Sequence, residues 1–149
     1  MRAVVQRVDE ATVMVEDKNV GSTGLGLLIY LGVGDDDTEE DVEYLARKIA
    51  GLRIFADESN AMNLSITEVQ GSALTVSQFT LFGDVRRGRR PSFAKAMKPG
   101  DANRYYEHFM SRMRELGIPC RGGKFGAMMR VRSINNGPVT ILLDSKKTF

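Results

Sequence analysis

The sequence predicts a single α+β domain spanning residues 1–149, with layered, largely antiparallel or mixed β-sheets, barrel-like in outline, and two main helices packed on one side. Three observations carry this. About seven short stretches have strand composition, only two have helical periodicity, and the two kinds do not alternate strictly. Hydrophobic residues make up 42% of the chain and charged residues 27%, enough apolar side chain for one core in a chain of this length.

Residues 2–8 and 11–16 alternate apolar and polar side chains, and Asp17-Lys18-Asn19 supplies a turn, so a hairpin is expected. The glycines of Gly21-Ser22-Thr23-Gly24-Leu25-Gly26 fit neither a dinucleotide fingerprint nor a phosphate-binding lysine loop, and read as a turn. Residues 25–33 form a continuous apolar run, short enough for a strand buried on both faces. Thr38 precedes three acids, after which Val42, Leu45, Ile49 and Leu52 recur at near-helical spacing, a capped first helix. The aspartates at 35–37 are read as helix-start and solvated residues rather than as a magnesium site.

Residues 53–56 read as a strand, and residues 73–82 as a longer one running directly into Gly83 and an arginine-rich loop. The second helix covers 101–116, with Tyr105, Phe109, Met113 and Leu116 on one face and Gly117 placed to end it. The tail predicts strands at about 125–134 and 139–144, separated by the turn-forming Asn135-Asn136-Gly137-Pro138.

Several chemistries are excluded. Arg2 and Arg7 interrupt the N-terminal apolar run, so neither a signal peptide nor a membrane span is expected there, and the expected address is cytoplasmic. The single Cys120 and single His108 cannot make an internal disulfide or a Cys/His zinc site; no metal and no cofactor are expected. No feature lowers the Cys120 thiol pKa, and nothing in the sequence brings His108 to a hydroxyl, so nucleophilic catalysis by a thiol or a Ser-His-Asp arrangement is set aside.

Charge is unevenly distributed. Between Arg86 and Arg132 thirteen Lys and Arg face only Asp101, Glu107 and Glu115, a local charge of +10 within a chain whose net charge is +2. Such a stretch suits a phosphate backbone, and it equally suits a solvated surface balanced by the acidic half.

Two short motifs carry the functional reading. Ser77-Gln78-Phe79-Thr80-Leu81 and Asn136-Gly137-Pro138-Val139-Thr140, in that order, resemble the paired signatures of the D-aminoacyl-tRNA deacylase family. The similarity extends over essentially the whole chain, through Met-Arg-Ala-Val-Val-Gln-Arg-Val at the start, Arg53-Ile54-Phe55, and Gly123-Lys124-Phe125-Gly126-Ala127. It implies an enzyme that cleaves the ester of D-aminoacyl-tRNA at the acceptor end. It further implies a homodimer in which a cis Gly137-Pro138 element enters the partner's site and rejects L-aminoacyl groups. Achiral glycine would pass that filter, so mischarged glycyl-tRNA(Ala) is a second expected substrate.

By the same resemblance Ser77, Gln78, Phe79 and Thr80 form the catalytic segment, and Arg7 orients the Gly137-Pro138 element. Phe125, Gly126, Ala127 and Met129 would line the pocket for the terminal adenosine and amino acid, with core packing as the competing role of Phe125. N–H groups around Gln78 and Phe79 would receive the oxyanion. No base accompanies Thr80, and the resemblance points to assistance from the tRNA's 2′-hydroxyl rather than to a threonine nucleophile. Charge alone nominates Arg86, Arg87, Arg89 and Arg90 as RNA contacts. Two competing readings are a non-catalytic RNA-binding module and an esterase acting on free D-amino acid esters.

Overall fold

The computed structural model describes residues 1–149. Its elements in order are β1 (Arg2–Val15), β2 (Lys18–Thr23), β3 (Gly26–Gly32), α1 (Glu39–Ala50), β4 (Phe55–Ala56), β5 (Met62–Leu64), β6 (Ser72–Ser77), a 3-10 turn (Phe79–Phe82), α2 (Pro99–Glu115), β7 (Cys120–Gly122) and β8 (Arg130–Asp144). The main sheet runs β2-β1-β3-β6-β7, with β8 also paired to β1; β4 and β5 form a separate hairpin. Pairing is antiparallel around β1 and parallel from β3 to β6 and from β6 to β7, a mixed sheet. The sheet curls until its two ends nearly meet: a Cβ on Gly21 of β2 would lie 2.5 Å from the Gly122 carbonyl oxygen of β7. Only backbone without side chains fits that approach, and the result is a nearly closed barrel.

The first expected hairpin is shifted. The two stretches at 2–8 and 11–16 are one long strand, β1, and the reversal follows at Glu16 and Asp17, both at positive φ (49° and 61°). Val15 pairs Lys18 across that two-residue turn, which matches the twist of the flanking strands. The expected final pair of strands, at about 125–134 and 139–144, is a single strand that begins only at Arg130, because both halves of β8 pair with β1 on either side of a bulge, and residues 125–129 lie in the turn before it. The strand expected at 73–82 stops at Ser77, where the chain winds into the 3-10 turn.

Alternation along β3 sorts the core. Leu27, Ile29 and Leu31 face the helices in a cluster of 23 buried residues, whereas Leu28 joins Val8, Ala11, Val13, Leu74 and Val76 on the other face of the sheet. α1 contributes Val42, Leu45, Ala46 and Ile49 to the larger cluster, and α2 contributes Ala102, Tyr105, Tyr106, Phe109, Met110 and Met113. The α1 start is held by the Asp41 carboxylate, which accepts the Thr38 N–H at 2.8 Å. Gly117, at φ +84°, ends α2 as its position in the sequence suggests. On the outer surface Arg112 joins the helices by donating Nε to Glu43 at 2.6 Å, and this pairing holds the Glu43 carboxyl below its usual range.

Candidate active site

Parallel β3 and β6 end side by side, with Leu31 opposite Ser77, and the site begins where they stop. The Gln78 N–H donates to the Leu31 carbonyl at 2.8 Å, which continues the ladder by one bond before the chain turns. This spends the Gln78 N–H and removes it from the expected oxyanion donors. Within the turn Leu81 N–H returns to the Gln78 carbonyl (3.3 Å) and Gly83 N–H to that of Thr80 (2.9 Å). The N–H groups of Phe79 and Thr80, at the first two positions, have no acceptor inside the turn, as at any helix start. They are the pair of backbone donors this segment offers to an anion.

The side chains here have little capacity for acid–base work. Gln78 Nε2 donates to the Thr80 hydroxyl, and no histidine or carboxylate joins them. His108 lies on α2, with its ring nitrogen on Glu39 of α1. Phe79 is 57% exposed and meets Phe93 edge to face, 5.0 Å between ring centroids.

The second motif interrupts β8. Gln6 faces Thr140 and Val8 faces Asn135, so four residues of β8, 136–139, stand opposite the single Arg7. Their peptide at Gly137-Pro138 is cis and exposed. The Arg7 guanidinium holds the bulge from beneath, donating Nε to the Asn136 carbonyl and Nη2 to the Asn136 side-chain oxygen, both at 3.2 Å, and Nη1 to the Ile54 carbonyl at 2.6 Å. Asn136 reaches on to Asp9, its amide nitrogen donating at 2.6 Å. Gly137 is at φ +118°, a conformation that favours glycine, and a Cβ there would also press on Arg7 Nη2 at 2.8 Å. A cleft of about 650 Å³ adjoins the bulge, lined by Arg7, Leu25, Phe55, Met62, Val69 and Pro138 among others.

The two motifs do not meet in one chain. Arg7 pairs with Leu27 at the start of β3, and Ser77 with Leu31 near its end. Four residue steps of strand separate them, roughly 13 Å at the usual rise.

The family model for D-Tyr-tRNA(Tyr) deacylase matches residues 4–144. The chain belongs to the D-Tyr-tRNA(Tyr) deacylase family. Among its relatives, the D-aminoacyl-tRNA deacylases of Thermotoga petrophila and Koribacter versatilis are each 58% identical over 149 residues, covering 100% of both chains. A solved structure of the c-Myc DNA unwinding element binding protein is 40% identical with a TM-score of 0.90, covering 97% of this chain and 98% of that one. A probable eukaryotic D-amino acid tRNA deacylase, 21% identical with a TM-score of 0.82 over 95% of this chain and 97% of that one, shares the fold. Membership assigns the reaction class, ester hydrolysis by a deacylase.

In the deacylase the other candidate residues fall into two groups. Phe125 is half-buried against the core, 5.7 Å from the Tyr106 ring, and opens a tight turn in which Ala127 N–H returns to the Lys124 carbonyl at 3.2 Å. Gly126 stands exposed at φ +74° in that turn, and Met129 packs on the smaller core cluster. The turn is tied to β6: the Tyr106 hydroxyl (2.8 Å) and the Gly123 N–H (3.0 Å) both donate to the Thr75 carbonyl, two residues before Ser77. Burial pushes the Tyr106 hydroxyl far above its usual range and raises Cys120, whose buried thiol lies 3.4 Å from the Thr75 hydroxyl.

Arg86, Arg87, Arg89 and Arg90 are all exposed on the loop after the 3-10 turn. Arg86 folds back on Asp84, donating Nε at 2.9 Å, and holds that carboxyl well below the usual range; the other three have no anionic partner. No group of three or more His, Cys, Asp or Glu side chains is placed to hold a metal, and no helix is long and apolar enough to cross a membrane. Arg2, Gly32 and Phe93 carry no sequence signal of their place around the turn. Their partners lie at least fourteen positions away, and no local pattern announces such contacts.

Proposed function

We propose that the chain hydrolyses D-aminoacyl-tRNA to a free D-amino acid and tRNA as a cytoplasmic homodimer, and that the Gly137-Pro138 bulge of each copy completes the Ser77–Thr80 site of the other. The observation that carries this reading is the separation of two exposed motifs along β3, which leaves each half of a site without the other. The names of the relatives supply the substrate class.

In the reaction, water attacks the ester carbonyl, the acyl–oxygen bond breaks, and the tRNA hydroxyl takes back a proton. The Phe79 and Thr80 N–H groups receive the developing oxyanion. With no base beside Thr80, the neighbouring 2′-hydroxyl of the terminal adenosine is the group best placed to assist the proton transfer. Chiral choice comes from the bulge: without a side chain, Gly137 admits close approach of its backbone, and an L-substituent would strike that wall while a D-substituent points away. Glycine has no substituent to reject, so glycyl-tRNA(Ala) is also cleaved. Phe125 and Met129 border the terminal adenosine, and the arginine loop contacts phosphates.

The deciding measurement compares deacylation of D-tyrosyl-tRNA and L-tyrosyl-tRNA at low salt. Loss of the D ester alone supports the reading, and persistence of both removes it. Thr80→Ala is expected to keep activity within about tenfold, whereas a terminal 2′-deoxyadenosine abolishes it. The opposite pattern would make Thr80 the nucleophile.

A further inference from the structure

The 3-10 turn sits in a groove formed by missing side chains. A Cβ on Gly32, the last residue of β3, would come within 2.9 Å of the Gln78 carbonyl and 3.2 Å of both Leu81 Cβ and a Phe82 ring carbon; one on Gly34 would come within 2.9 Å of the Phe82 ring. Two glycines therefore leave the space in which Leu81 and Phe82 settle. The seat is closed from the other side by Arg2, whose guanidinium lies 4.7 Å from the Phe82 ring centroid and whose Nη1 donates to the Leu81 carbonyl at 3.0 Å. That carbonyl lies near the C-terminal end of the turn, where carbonyls lack helical partners. The guanidinium is itself fixed by Asp144, with Nε 3.4 Å from a carboxylate oxygen that is almost fully buried at the end of β8.

We propose that Arg2 is a positioning residue for the oxyanion donors. It pins the Leu81–Phe82 half of a four-residue turn and so sets where the Phe79 and Thr80 N–H groups point. The inference rests on the reading of those two groups as donors. Arg2 need not touch the substrate. Its planar head does three things at once: it covers the Phe82 ring, donates to Leu81 and donates towards Asp144; a lysine ammonium is a point charge and cannot do all three. Because Arg2 is partly exposed (31%), removing it leaves no large cavity.

The experiment pairs Arg2→Met, which keeps the length of the chain without the guanidinium, with Arg2→Lys, which keeps the charge. The readouts are single-turnover and steady-state cleavage of D-tyrosyl-tRNA, thermal midpoint, and backbone amide chemical shifts. In Arg2→Met the expected result is a fall in kcat of roughly 10- to 100-fold with KM within about twofold of wild type, since a small misplacement of donors costs rate rather than affinity. Amide shifts should move at Phe79, Thr80, Leu81 and Phe82 and stay fixed along α2. Arg2→Lys should fall between the two.

A folded Arg2→Met protein with wild-type kcat overturns the proposal. So does a loss that appears in KM alone, or one accompanied by amide shifts spread through the core. Should Arg2→Met not fold, Arg2→Lys decides: full activity overturns the proposal, and a kcat loss with the local amide pattern upholds it. If the wild-type protein cleaves neither tyrosyl ester, the functional reading fails, and the amide shifts alone then decide whether Arg2 sets the turn.

Discussion

At the scale of single residues, buried polar groups do most of the positioning. Asp144 is buried at the end of β8, yet it accepts the Lys146 N–H at 2.8 Å as well as bonds from Thr148 and Arg2. Burial alone would raise its pKa; these donors outweigh it and hold the carboxyl below the usual range. A depressed folded-state pKa gives stability that is present above the unfolded value and lost as pH falls towards the folded one. Asp144→Asn should therefore lower stability at neutral pH and flatten the acid limb of a pH–stability curve, which chemical denaturation from pH 7 down to pH 3 would read. Cys120 works the other way: its buried thiol is raised, so in the native protein it should react with a thiol reagent far more slowly than after unfolding.

Among the elements, the glycine seat makes the sharpest demand. Gly32→Ala places a methyl 2.9 Å from a backbone oxygen, where no flexible side chain can yield, so the turn must lift. Cleavage of D-tyrosyl-tRNA should drop by at least tenfold, with a modest loss of stability on the order of 1–3 kcal/mol for overpacking. Phe109→Ala, at the centre of α2 with no exposure, should cost about 3–5 kcal/mol by thermal or urea unfolding while leaving the turn's contacts in place.

What was legible in the sequence divides along the same line. α1, α2 and β3 follow from apolar spacing and end signals that lie within the elements themselves. The early stop of β6 was hidden, because 78–82 has strand composition and the pressure to turn comes from Gly32, Gly34 and Arg2, far off in sequence. In β8 the local turn chemistry of 135–138 predicts a reversal, whereas pairing with β1 on both sides converts it into a bulge. The candidate site is legible in the sequence as two motifs, and the distance between them only in the geometry.

For the whole molecule, the distribution of charge matters most. Arg87, Arg89 and Arg90 stand free on the loop beside the turn, while Arg86 is engaged by Asp84. Replacing any one of the free three by alanine should weaken tRNA binding at every sequence alike and reduce the salt slope by about one, and Arg86→Ala should do less. Binding titrations at several salt concentrations test the ranking.

The distance between the turn and the bulge also has a genetic consequence. A chain disabled in the turn by Phe79→Pro, which deletes a backbone donor, still presents an intact bulge; a chain disabled in the bulge by Gly137→Val still presents an intact turn. Each is expected to be inactive alone. In the homodimer proposed above, the coexpressed chains would complement: random pairing would make half of the dimers mixed, each mixed dimer would rebuild one of its two sites, and about a quarter of wild-type activity would return from two defective alleles.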